Sequence, residues 1–159
     1  MQRIWAPWRM KYIENAESAD GCFLCDARDS DNDRESLVLK RDRDAFLVMN
    51  RYPYANAHLM AVPNRHIGEI EELEPDELVA VMALVQESIK ALKKAVGAQG
   101  FNVGINIGRA AGAGILDHVH VHIVPRWNGD TNFMPIFGEV KCINEHLLDT
   151  YDKLRPYFD

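Results

Sequence analysis

Along residues 117–127, DHVHVHIVPRW, polar and apolar side chains alternate. His118, His120 and His122 fall on one parity, and Val119, Val121 and Ile123 on the other. Successive side chains of a strand leave on opposite faces, so the pattern predicts a strand with one aliphatic face and one face of three imidazoles, about 6–7 Å apart. Two apolar runs, AFLVMN at 45–50 and HLMAVP at 58–63, flank RYPYANA with its turn-forming Pro and Asn. They predict neighbouring antiparallel strands. FNVGINI at 101–107 predicts another. From Pro75 the period lengthens: Leu78, Met82, Val85, Ile89, Leu92 and Val96 recur every three or four residues, while Glu87, Lys90, Lys93 and Lys94 lie off that stripe. This is an amphipathic helix of about five to six turns, opened by Pro75 and acidic residues and closed near Gly97, with its stripe expected in the core. NEHLLDTYDKLRPYF near the C-terminus predicts a helix up to Arg155, stopped by Pro156. Central strands with helices around them make an α+β domain.

Three stretches carry no period. DARDSDNDRES at 26–36 reads as a solvated loop, and GRAAGAG at 108–114 as a loop of small side chains. Residues 1–20 mix Trp5, Trp8, Met10, Tyr12 and Ile13 with charges and read as an N-terminal arm, packed on the domain or on a second subunit.

A length of 159 residues fits one domain, 1–159 including the arm, able to bury a core without disulfide staples. The sequence has no apolar run near the roughly 18 residues of a membrane span. MQRIWAPWRMKYI lacks the apolar core and cleavage site of a signal peptide, so a cytoplasmic protein without membrane partners is expected. The formal net charge of −6 argues against a nucleic-acid backbone as partner, which needs clustered Lys and Arg. A small anion in a local pocket remains compatible. Three cysteines do not make a disulfide framework.

The histidine row directly follows glycines at 108, 112 and 114. Glycines let backbone N–H groups approach an anion, while neutral imidazole can attack phosphorus and imidazolium can neutralise its oxygens. Together they point to phosphate chemistry. His118-Val119-His120-Val121-His122-Ile123-Val124 resembles the His-x-His-x-His signature of the histidine triad (HIT) family of nucleotide hydrolases and transferases. Asn50 in VMNRYP, His58 in ANAHLMAVP and Asn106 in GINIG come in that family's order, so the resemblance spans most of the chain. IWAPWRMKYI, and HIVPRW continued by NGDTNF, are similar to the branch that contains bacterial diadenosine tetraphosphate phosphorylases.

The resemblance implies a HIT-like antiparallel sheet with one long helix and a C-terminal helix, usually paired as a homodimer. It implies His120 as the nucleophile that becomes nucleotidyl-histidine, and His122 as the ring holding the phosphate oxygens. The His118 carbonyl would fix the His120 tautomer, and His58 would stand beside the scissile phosphate. Asn50 corresponds to a ribose-binding residue, and Asn106 with Gly108, Gly112 and Gly114 to a phosphate contact. The activity implied is cleavage of a dinucleoside polyphosphate at an α-phosphate, with phosphate or water as acceptor. A nucleoside phosphoramidase, a dinucleoside polyphosphate hydrolase and a slow nucleotide-binding regulatory module are the rivals. In one place the chain departs from the pattern: many members carry Gln or Ser four residues before the first triad histidine, and here that position is Gly114. The room this leaves, with Arg109 and Arg126 flanking loop and strand, suits an anionic acceptor, since an arginine fork matches phosphate.

CFLC at 22–25 has the gap of a zinc knuckle, and His66 and His118 offer two further ligands. Members with Cys-x-x-Cys here bind zinc in this way. Four protein ligands leave no open position, so a structural zinc is expected on Cys22, Cys25, His66 and His118. A redox dithiol and two buried thiols are the competing readings. Cys142 has no partner in sequence and reads as a packed thiol.

Overall fold

The structure is a computed structural model, and it describes residues 21–130, 143 and 145–158. The arm and Cys142 lie outside the described residues. Five strands, β1 (Val38–Arg41), β2 (Ala45–Met49), β3 (Leu59–Pro63), β4 (Gly100–Ile105) and β5 (Val121–Arg126), form one sheet in the order β1-β2-β3-β5-β4. Every neighbouring pair is antiparallel. Around them lie α1 (Phe23–Asp29), α2 (Asp33–Ser36), the 21-residue α3 (Pro75–Ala95) and α4 (Leu147–Leu154). The α+β reading and the β2–β3 hairpin hold as expected. No described helix is long and apolar enough to cross a membrane.

Several elements differ from expectation. The charged segment 26–36 is not a loop but holds most of α1 and all of α2. Asn32 caps α2 by accepting from the Glu35 N–H at 3.2 Å, and Leu37 closes it in the left-handed conformation. The Arg41 guanidinium donates to the carbonyls of Ala27, Arg28 and Ser30, which are carbonyls at the C-terminal end of α1. These contacts come from another element, so no local period announces them. Strand β1 was not expected either, and the histidine strand is shorter than its alternation: β5 starts at Val121, with His118 in a bend and His120 in irregular chain before it.

Helix α3 follows its predicted bounds but not its predicted face. Val81, Leu84, Val85, Ala91 and Leu92 are buried, whereas Leu78 and Met82, expected in the core, are exposed with Val79. The helix carries two adjacent apolar stripes, and the sheet takes only one. Leu78, Val81 and Met82 line a cleft with Ala61, Pro63, Ile105, Val121 and His120.

The loop after β3 is clamped from both sides. Arg65 makes a bidentate ion pair with Glu77, 2.6 Å through each nitrogen, and Glu77 also accepts from the Glu74 N–H at 2.8 Å, fastening the start of α3. Opposite, Val119 N–H donates to the Ile67 carbonyl at 2.7 Å. Gly68 packs so closely on the segment before the histidines that a Cβ there would meet the Leu116 carbonyl oxygen at 2.7 Å and the Asp117 Cα at 3.2 Å. Backbone cannot yield as a side chain does. Gly68→Ala is therefore expected to cost about 1–3 kcal/mol in denaturant unfolding, and a loss below about 0.5 kcal/mol would show that the contact is slack.

Candidate active site and metal cluster

Cys22 caps the N-terminus of α1 and Cys25 lies in its first turn, three residues apart and so on one side of the helix. His66 enters from the loop after β3 and His118 from the chain before β5. The Cys22 Sγ lies 3.3 Å from His118 Nδ1, and the Cys25 Sγ lies 3.3 Å from His66 Nδ1 and 3.6 Å from His118 Nδ1. All four donor atoms fall within 4.8 Å of one another. Tetrahedral zinc with ordinary bond lengths has ligand–ligand edges of about 3.3–3.8 Å, so the foursome has the size of a zinc shell. His118 Nε2–H donates to the Pro63 carbonyl at 2.9 Å, which leaves a lone pair on Nδ1, the nitrogen that faces the sulfurs. Burial and the neighbouring Cys22 push the Cys25 thiol up. Two thiolates side by side need a cation between them, so the cluster can hold a metal.

The same residue starts the second constellation. His120 Nδ1–H donates to the His118 carbonyl at 2.9 Å, so its Nε2 carries the lone pair. The His122 ring meets the His120 ring edge-on, with centroids 4.7 Å apart. His122 Nδ1 is 3.0 Å from His58 Nε2, and His58 Nδ1 is 3.2 Å from Asn50 Nδ2. His58, His118, His120, His122 and Asn50 are all buried. Burial lowers the pKa values of His118 and His120, and burial together with the nearby His120 lowers that of His122 to about 4. At neutral pH the triad imidazoles are neutral. Cations before a phosphate arrives, one role considered from sequence, do not fit this site.

Two residues the sequence reading passed over belong here. Tyr54 stacks over His58 at 4.6 Å and faces His122 at 5.5 Å between centroids, and its N–H donates to His58 Nδ1 at 3.1 Å. Tyr52 N–H donates to Asn50 Oδ1 at 2.9 Å. Their signal in sequence was two tyrosines inside a turn that needs only polar residues.

The remaining candidates are spread out. Asn106 is half-buried just beyond β4. The 108–114 loop contains a 3-10 turn, Arg109–Ala111, with Gly108 and Gly112 at φ 76° and 82°, where L side chains are strained. The N–H groups of Ala111, Gly112 and Ala113 bond within the loop, so those three are not aimed at an anion. Gly114 and Arg109 are exposed. Arg126 is not brought to the triad. It lies four residues along β5 from His122, about 13 Å at the strand rise. Its guanidinium is held by Asp130 at 2.6 and 2.8 Å and by Asn102 at 3.0 Å.

Residues 32–129 match the family model described as the HIT domain, which covers more than half of the chain. The chain belongs to the HIT family. Over 157 residues it is 40% identical to the AP-4-A phosphorylase of Mycobacterium tuberculosis, covering 94% of this chain and 80% of that one. Over 95 residues it is 32% identical to the asymmetrical bis(5'-nucleosyl)-tetraphosphatase of Schizosaccharomyces pombe, covering 60% and 52% respectively. The HIT fold also appears in a zinc-bound histidine triad family protein from Mycobacterium smegmatis. That structure has a TM-score of 0.68 at 22% identity and covers 89% of this chain and 94% of that one. A histidine triad nucleotide-binding protein from Sulfolobus tokodaii gives 0.66 at 28% identity, covering 86% and 88%. Two of these HIT relatives thus carry the names of enzymes, a phosphorylase and a tetraphosphatase.

The depressed pKa of His122 has a consequence for folding. Unfolded, the imidazole takes a proton near pH 6.5, and folded it refuses one until about pH 4. Between these values the unfolded chain binds the extra proton, so this contribution to stability is intact above pH 6.5 and lost as pH falls towards 4. Melting temperature should fall less steeply over that window in His122→Gln than in wild type. Equal slopes would place the His122 pKa near its ordinary value.

Proposed function

We propose that this protein cleaves dinucleoside polyphosphates, diadenosine tetraphosphate first among them, at an α-phosphate through a nucleotidyl-His120 intermediate. One observation carries the reading: the His118 carbonyl accepts a hydrogen bond from His120 Nδ1–H, which leaves a buried, uncharged Nε2 lone pair beside a second imidazole. That nitrogen attacks the α-phosphorus, the bond to the bridging oxygen breaks, and ATP leaves. His122 holds a phosphate oxygen and His58 backs it. Asn50, Asn106, Gly108 and Gly114 contact ribose and phosphate, while the Gly112 N–H stays on the Arg109 carbonyl. In the second step a phosphate oxygen attacks the α-phosphorus, the P–N bond breaks with its electron pair returning to His120 Nε2, and ADP leaves, with Arg109 as the arginine that receives the phosphate. Arg126 has no part in this, since Asp130 and Asn102 hold it. Water as acceptor would give AMP, and the tetraphosphatase relative favours that second reading.

The cysteine and histidine foursome is read as a structural zinc site on Cys22, Cys25, His66 and His118. All four tetrahedral positions are then protein ligands, so the ion supplies rigidity and binds no water. The exposed apolar residues Leu78, Val79 and Met82 of α3 and Val103 of β4 support a homodimer built on that face, because a second copy covers apolar surface that water otherwise meets. The compartment is the cytoplasm, and no nucleic acid is bound.

Incubation of the purified enzyme with diadenosine tetraphosphate should release ADP and ATP at a rate that rises with added phosphate, while His120→Ala loses at least about a thousandfold in kcat and still binds nucleotide. AMP and ATP at a rate indifferent to phosphate would make the protein a hydrolase, and turnover of His120→Ala within about tenfold of wild type would remove the nucleophile.

Native mass spectrometry should find two chains with one zinc each. Chelation should lower the melting temperature, with activity lost in step with folding rather than ahead of it. A metal-free monomer from a chelator-free preparation would sink both the zinc site and the dimer.

A further inference from the structure

Behind His122 the polar contacts run in one direction. Asn50 Oδ1 accepts the Tyr52 N–H at 2.9 Å, which leaves Nδ2 as the end that faces His58 Nδ1 at 3.2 Å. The Tyr54 N–H donates to that same ring nitrogen at 3.1 Å. Two N–H groups directed at one imidazole nitrogen leave it no room for a proton, and backbone donors cannot be turned round. Neutral His58 therefore carries its proton on Nε2 and donates to His122 Nδ1 at 3.0 Å. His122 Nδ1 accepts, so the His122 proton sits on Nε2.

We infer that Asn50 is a positioning residue of the transfer reaction: with the Tyr54 N–H it locks His58 in the Nε2–H tautomer and so makes neutral His122 present Nε2–H to the phosphate. The inference rests on the proposed reading of His122 as the ring that holds the phosphate oxygen. A ribose contact does not compete with it. The carboxamide uses one lone pair and one N–H inside the protein and keeps one of each for a ligand. Burial of Asn50, at 8% exposure, shields these bonds from water. The low pKa of His122, near 4 through burial and the nearby His120, keeps that ring neutral, as the arrangement requires. The arrangement gives a phosphate a fixed donor without a fixed charge.

Long-range proton–nitrogen spectra of the 15N-labelled wild-type protein should show both His58 and His122 protonated on Nε2. A proton on Nδ1 of either ring overturns the inference. Asn50→Asp keeps an oxygen for the Tyr52 N–H and for a ribose hydroxyl but sets a carboxylate against His58 Nδ1. It should shift the His58 proton to Nδ1 and lower kcat on diadenosine tetraphosphate about tenfold to a hundredfold, with KM within about twofold. A wild-type His58 tautomer in Asn50→Asp, with kcat unchanged and KM raised, would assign Asn50 to ribose alone, and a fall in kcat without a tautomer change would equally overturn the inference. Should Asn50→Asp fail to fold, the wild-type spectra decide. These spectra need no substrate, so a protein that does not turn over diadenosine tetraphosphate would refute the proposed activity and leave the tautomer result standing.

Discussion

The site depends on how His118 is held. Its Nε2–H is fixed on the Pro63 carbonyl, its Nδ1 faces the two sulfurs, and its own carbonyl accepts a hydrogen bond from His120 Nδ1–H. One buried residue thus joins the end of β3, the start of α1 and His120. Displacing the ring moves the carbonyl, and the carbonyl decides which nitrogen of His120 carries a lone pair. The Ile67–Val119 hydrogen bond and the close approach of Gly68 to residues 116–117 hold the same segment from the other side. A metal in the cluster would act on catalysis only through this backbone, at one remove from the reacting atoms.

Burial sets the chemistry that this rigid segment performs. Desolvation is the main cause of the low pKa values across the triad, and it selects neutral imidazoles. Neutral rings have one donor and one acceptor each, so the tautomer of each is set by the group its nitrogen meets. Here backbone groups do so: the His118 carbonyl at one end, and the N–H groups of Tyr52 and Tyr54 at the other.

How much of this was legible in the sequence follows from what carries each feature. The short apolar runs at 45–50 and 58–63, set about a turn, and the 3.6-residue period after Pro75 gave β2, β3 and α3, because apolar clustering and period are local patterns. The four metal-cluster residues and the triad were readable because side-chain identity does the chemistry. Strand β1, at four residues, is too short for a period, and α1 and α2 depend on a guanidinium from β1 and a capping asparagine. The buried face of α3 was misjudged at Leu78 and Met82 because apolar residues occupy two stripes and periodicity cannot say which one meets the sheet. Tyr52 and Tyr54 act through backbone N–H groups, which every residue but proline has. Arg126 was placed near the triad by sequence proximity, but an extended strand carries neighbours apart and Asp130 supplies a closer partner.

The charge balance explains why a polyanion would be met by such neutral donors. The chain carries a net −6, and Arg28, Arg34, Arg41, Arg65 and Arg126 are each paired with a carboxylate. Pairs between exposed charges contribute little to stability, but they withdraw positive charge from the field a substrate would feel. A cation buried beside His120 would pull the Nε2 lone pair down in energy and weaken any attack on phosphorus. Arg109, exposed on its 3-10 turn, is not among these paired arginines. Separation of charge from His120 is thus a consequence of where the arginines are tied, and those ties lie in the loops and strand ends rather than in the triad itself.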